Sequence, residues 1–299
     1  MNAKLKEAGV FSQAVFSNFS AHRAPRLAAA LAYYALFSTA PLFVIAVAIA
    51  GRIFGHSTAV EVAISRVAVT LGPAVAESLQ GLMDSLTQPR ATVLATAISV
   101  VVVVVGATNL FAALQDALNT IWDARPVTPG IVTLLKTRGL AFAMVLGAGL
   151  VLIVFLFLNT ITSALAGMIE VLAPGLIDGW TVWTVMQGVV FYGLTTLTFA
   201  IIFRVLPDTH VAWRDVWLAA VITTLLFTVG RLLFDLYVRY SSVTSIYGAA
   251  GSLVVLLVFV YYMAQIIFLG AEISRVYAER YGSRRLATRS VEGLGDDGV

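Results

Sequence analysis

The sequence has no cysteine, which excludes disulfides, thiolate zinc sites, iron–sulfur clusters and a cysteine nucleophile. Histidine is nearly absent too. His22, His56 and His210 fall in three separate segments, too few on one side of a membrane for histidine-based metal hydrolysis of RNA. There is no His-Glu-x-x-His, no Gly-x-Ser-x-Gly and no Gly-Lys phosphate loop. No catalytic residue, metal site or cofactor is therefore expected. Charged residues make up only 12% of the chain, against roughly 25% in an ordinary soluble domain.

Apolar residues take that place, at 60% of the 299 residues and a mean hydropathy of +0.92. A soluble core cannot absorb so much apolar surface, so lipid is the solvent for much of it. About 20 apolar residues of helix cross a hydrocarbon core. Stretches without Asp, Glu, Lys or Arg run Leu27–Gly51, Ala91–Gln115, Gly139–Ile169, Gly179–Phe203 and Tyr240–Ala271. A further one, Val216–Gly230, is short unless its helix continues to about Tyr237. The expected fold is an all-α integral membrane protein, a bundle of about six transmembrane helices. Residues 1–26 form a cytoplasmic amino-terminal segment, 27–277 the six-span domain, and 278–299 a disordered cytoplasmic tail. The first apolar stretch is as long as a full span and lacks a signal-peptide cleavage pattern, so it reads as a retained helix.

Six spans with a cytoplasmic amino terminus put fourteen Lys and Arg residues inside and five outside, the outer five being Arg52, Arg66, Arg90, Arg231 and Arg239. That bias places both termini in the cytoplasm of a bacterial inner membrane. It also accounts for the net charge of +3 without a nucleic-acid partner. Trp122, Trp180, Trp183, Trp213 and Trp217 fall at span borders and read as interfacial anchors. The longest outer loop carries two amphipathic pieces, Thr58–Leu71 and Ala74–Leu86, separated by Gly72-Pro73. The first is expected to lie along the outer membrane surface.

Several strings stand out: Ala32-Tyr33-Tyr34-Ala35-Leu36-Phe37-Ser38-Thr39-Ala40-Pro41, Leu114-Gln115-Asp116-Ala117-Leu118-Asn119-Thr120-Ile121-Trp122 and Phe203-Arg204-Val205-Leu206-Pro207. Ser245-Ile246-Tyr247-Gly248-Ala249-Ala250-Gly251 and Leu269-Gly270-Ala271-Glu272 follow. In this order and spacing they resemble the YihY/virulence factor BrkB family of six-span bacterial membrane proteins, once labelled ribonuclease BN. The resemblance covers Leu27–Tyr277. Tyr261-Tyr262 departs from it, since a Trp commonly precedes the tyrosine there. The resemblance implies a role in envelope integrity, with movement of lipids or other substrates across the inner membrane, and treats the ribonuclease name as a misassignment. It supplies no residue-level template.

The candidate residues follow from cost. Pro41 removes a backbone hydrogen bond in mid-span and is expected to kink the first helix, with Ser38 and Thr39 covering the freed carbonyls. Polar side chains within spans face the protein interior or a wet cavity, which singles out Asn109, Asp116 and Asn119 on one broad face. Arg231, Asp235 and Arg239, four apart, make a stripe at the outer end of the fifth span, where Asp235 can pair with Arg231. Tyr33 and Tyr34 sit two turns inside the first helix, and Tyr247 and Gly248 open the last. Each has a plainer reading as aromatic or close helix packing. Glu272, with Arg275 one turn on, is expected to gather with Asp116 and Asn119 around an inner vestibule, with Arg204 or Arg275 as counter-charge.

Two functions compete on these residues. One is a transporter or lipid-translocating protein without its own ATPase. The other is a non-transporting scaffold that binds envelope-biogenesis proteins. Membrane lipids are the expected partners in either case, and the sequence leaves the substrate and the oligomeric state open.

Overall fold

The computed structural model describes residues 2–38, 60–61, 64–65, 67–68, 73–86, 109–124, 139, 161, 164, 167–168, 179–241 and 251–284. Among these residues the fold is all-helical, with no strand. In chain order α1 is Asn2–Ala21, α2 covers 24–38, α3 is Pro73–Leu86, α4 covers 109–121, α5 is Gly179–Val205, α6 is Trp213–Tyr240 and α7 is Gly251–Arg280. Thr184–Val205, Trp213–Tyr240 and Leu253–Arg280 are long and apolar enough to cross a membrane by length and composition. They correspond to the last three expected spans. The middle of the first span, its kink at Pro41, and most of the second and third spans lie outside the described residues.

The span that is short by its apolar run alone, Val216–Gly230, extends to Tyr240 as a 28-residue helix. Asp215 in its first turn and Arg239 in its last oppose the helix dipole favourably, so charge supports both ends beyond the apolar run. Its buried stripe is made largely of small residues: Val216, Ala219, Ala220, Thr223, Thr224 and Gly230. Small side chains let backbones approach, and α6 packs most closely against α7 and α5. The Thr223 and Thr224 hydroxyls are satisfied by the carbonyls of Ala219 and Ala220, at 2.7 and 2.9 Å. Thr196 of α5 also donates to Thr224, at 3.0 Å.

Gly270 of α7 sits where α5, α6 and α7 meet. A Cβ there would collide with Thr223 Oγ1 and come within 2.8 Å of Phe203 Cζ. Glycine is required by close approach rather than by backbone angle.

The amino-terminal segment is itself a helix. Phe11, Ala14, Val15 and Phe19 recur at helical spacing, Val15 is buried, and the stripe docks α1 on the end of α7. α1 stops at Arg23, which adopts φ 52°, and α2 starts with Pro25 in its first turn, where no amide hydrogen is needed. At the other end of the bundle, α3 opens on Pro73 and buries Ala74, Val75 and Leu79 against Val255, Phe259 and Met263 of α7. The second amphipathic piece therefore buries its apolar face on protein. Ile64 and Val67 from the first piece pack against the same cluster.

The first residues of the expected disordered tail, 278–284, are described and carry helix and polar contacts, and residues 285–299 lie outside the described residues. α7 runs to Arg280, Ser283 packs back on Asp215 at the start of α6, and Arg284 on Thr209 of the α5–α6 turn, through polar contacts that composition does not reveal.

Candidate functional site

Five chain segments meet at one end of the bundle: the α1–α2 junction, the end of α4, the α5–α6 turn, the start of α6 and the end of α7. At their centre lies Glu272, 0% exposed. Its Oε1 is 2.6 Å from Nδ1 of His22. Nε2 of the same ring is 3.1 Å from Arg275 Nη1. A guanidinium only donates, so with Arg275 in this position Nε2 is placed to accept and Nδ1–H to donate to the carboxylate. Arg275 also donates to the Ile121 carbonyl and to Asp123 Oδ2, both at 2.5 Å, and to Glu279 at 2.9 Å. Asp123 ends α4 with φ 45°, a left-handed conformation that aspartate tolerates better than most residues. Its side chain is 65% exposed and its Oδ1 is 3.8 Å from His22 Nε2.

Glu272 Oε2 is buried and has no hydrogen-bond partner among the described residues. A carboxylate normally accepts at both oxygens, so this one is held on one side only.

Two smaller polar clusters brace the same end. Asp208 Oδ2 accepts from Asn119 at 2.9 Å and Gln115 at 3.0 Å, and Asn119 Oδ1 accepts from the Asp208 amide at 2.8 Å. Asp215, also fully buried, takes the Ser283 hydroxyl at 2.5 Å and its amide at 3.2 Å. Its backbone carbonyl accepts from Ser274 at 3.1 Å. Outside the helices, Tyr281 donates to Glu7 of α1 at 2.7 Å, and this bond to a carboxylate holds the phenol above its ordinary pKa of 10.0.

The candidates named from sequence scatter over this frame. Glu272 is central, but Arg275 reaches it through His22 rather than as a direct partner, because its planar fork points across to the end of α4. Asn119 serves the α5–α6 turn, and Asp116 and Asn109 are exposed, so none of the three meets Glu272. Arg204 lies over the Trp213 ring at 4.3 Å. Asp235 faces the Ala74 backbone amide at the start of α3, with Arg231 and Arg239 as its charged neighbours. Ser38 is buried and donates to the Ala35 carbonyl at 3.1 Å. Tyr33 and Tyr34 are exposed, and their rings meet edge to face. Pro41, Tyr247 and Gly248 lie outside the described residues. Trp122 is not an interfacial anchor but a buried core residue under the Arg284 guanidinium, whereas Trp213 and Trp217 are half-exposed.

His22, Asp123, Asp208 and Asp215 belong to these clusters without being marked as site residues by the sequence. Nothing local marks His22, whose partner is 250 positions away. No group of three His, Asp or Glu side chains suited to a metal ion occurs among the described residues.

Comparison with known proteins agrees with an origin in the membrane. The family model described as Virulence factor BrkB matches residues 15–292. A UPF0761 membrane protein of Ralstonia nicotianae is 31% identical over 196 residues, 64% of this chain and 42% of its own. One from Teredinibacter turnerae is 27% identical over 277 residues, 92% of this chain and 62% of its own. One from Cronobacter sakazakii is 26% identical over 275 residues, 90% of this chain and 88% of its own. The chain thus spans less than two thirds of the length of the first two relatives. No solved structure matches. These relatives are named as membrane proteins and not as enzymes. With a family model covering nearly the whole sequence and three helices fit to cross a bilayer, the chain belongs to the Virulence factor BrkB family of membrane proteins.

Proposed function

We propose that this protein is a multi-pass protein of the bacterial inner membrane, with both termini cytoplasmic, that moves a lipid-class substrate without an ATPase of its own. The observation that carries this reading is Glu272. A wholly buried carboxylate on a helix apolar enough to span a membrane is costly, and such residues mark substrate or ion pathways. Replacing a charged network by packed apolar side chains is often neutral or stabilising, so stability alone gives no reason for it. Asp235, with Oδ1 unpartnered among the described residues, gives the opposite end of α6 a second inward carboxylate.

The scaffold reading draws on a different observation. The polar network ties five segments into a clasp, as a protein that only docks partners would need. Reconstitution separates the two. Protein in phosphatidylethanolamine and phosphatidylglycerol vesicles is expected to carry a fluorescent phospholipid between leaflets, and Glu272→Gln is expected to insert normally yet lose most of that activity. Wild-type protein that leaves the lipid in its original leaflet sends the reading back to the scaffold.

A further inference from the structure

We propose that His22 is a proton relay that connects the exposed carboxylate of Asp123 with the buried carboxylate of Glu272. The three groups lie in order of burial. Asp123 is 65% exposed, His22 16% and Glu272 0%. The imidazole stands between them, with Nδ1 2.6 Å from Glu272 Oε1 and Nε2 3.8 Å from Asp123 Oδ1. The first distance is within direct proton-transfer reach, and the second closes with a small side-chain movement of an exposed residue. A ring with one nitrogen toward each carboxylate suits the only side chain whose ordinary titration falls near neutral pH.

A proton arriving by way of Asp123 binds Nε2 and makes an imidazolium. The Nδ1 proton then moves to Glu272 Oε1, leaving a neutral imidazole protonated on Nε2 and a neutral carboxylic acid. Return of the Glu272 proton to Nδ1 followed by release of the Nε2 proton to Asp123 restores the resting pair. When the Glu272 proton departs inward instead, a half-turn flip of the neutral imidazole brings its protonated nitrogen back toward Glu272 and resets it.

Arg275 is the obstacle in the resting arrangement, since its Nη1 occupies the Nε2 lone pair at 3.1 Å. It can release that nitrogen without becoming an isolated charge. The Ile121 carbonyl, Asp123 and Glu279 all remain as acceptors. Three of the other charged groups at this end are engaged elsewhere. Asp215 of α6 is held by Ser283 and faces Arg214 at 3.6 Å, Arg204 of α5 covers Trp213, and Glu7 of α1 takes the Tyr281 hydroxyl. No second histidine competes for Glu272 among the described residues. The unpartnered Oε2 gives the acid form a second oxygen from which the proton can go on.

In transport the relay would supply the coupling ion, and to that extent it rests on the proposed function. Its test does not. Full-length protein in phosphatidylethanolamine and phosphatidylglycerol vesicles is taken through a rapid drop in pH while the infrared stretch of protonated carboxyl groups is recorded. A band that Glu272→Gln removes is expected in the wild type. In His22→Gln, whose amide can still donate to Glu272 but cannot pass a proton through a ring, the band is expected to rise about a hundredfold more slowly, the low side of what a positioned acid–base group contributes. Asp123→Asn, at an exposed position, is expected to slow it too, and serves if His22→Gln fails to insert. A wild-type band that persists in Glu272→Gln, no band at all, or unchanged rates in both relay variants would overturn the relay. Wild-type protein that shows the band but moves no lipid would remove the transport reading and leave the relay standing.

Discussion

The imidazole of His22, between the first two helices, and the carboxylate of Glu272, near the end of the last, form a 2.6 Å hydrogen bond across 250 positions of sequence. Removing the imidazole alone strands a buried carboxylate, and breaking a buried pair from one side costs about 3–5 kcal/mol. His22→Ala is therefore expected to lower the stability of the detergent-solubilised protein sharply, and Glu272→Gln to recover much of the loss in the double variant. A double-mutant cycle by thermal denaturation should give a coupling of about 1.5–3 kcal/mol. Additive effects would mean that the two side chains do not share a proton-bearing bond.

Gly270 makes a steric prediction at the same helix. With Thr223 Oγ1 and Phe203 in the way of any Cβ, Gly270→Ala is expected to cost about 1–3 kcal/mol through overpacking. Thr223→Ala removes the oxygen that the new methyl meets first and should restore part of the melting temperature. If Gly270→Ala melts with the wild type, the close approach of α6 and α7 is not what the glycine serves.

The Tyr281–Glu7 bond predicts an alkaline transition. Its folded-state pKa is raised above the ordinary 10.0, so the bond contributes fully below that pH and is lost as pH rises through the higher folded value. Proteolysis near α1 should then increase only at strongly alkaline pH. Tyr281→Phe should show the increased cleavage already at neutral pH, with little further change on alkalinisation. A steep alkaline rise that persists in Tyr281→Phe would assign it to another group.

Topology can be read with single cysteines, since the sequence has none. Cysteines at Ser57, Gly175 and Ser242 are expected to react with an impermeant reagent from outside the cell, and those at Thr128, Thr209 and Thr288 only after permeabilisation. Outside labelling at any of the second three reverses the orientation.

Glu272 is conspicuous in the sequence because a carboxylate in an apolar helix violates the local pattern, and α6 is legible once charges at its ends are allowed to belong to the helix. His22 violates nothing nearby, and only the docking of α1 brings it to Glu272. α1 itself hides behind span counting, since Phe11, Ala14, Val15 and Phe19 form too sparse a stripe to register as a membrane crossing yet are enough to dock on α7. Trp122 is misleading for the opposite reason. A tryptophan at a predicted border usually meets headgroups, but here the returning Arg284 covers it.

The clasp also sets an order of assembly. Two hundred and fifty positions of chain separate His22 from Glu272, so the site does not exist until α7 has been made. Until the final helix enters the membrane, α1 has no α7 to dock on and Asp215 has no Ser283 to hold. A chain cut short before α7 thus carries an undocked amphipathic helix and an aspartate with neither of its serine contacts.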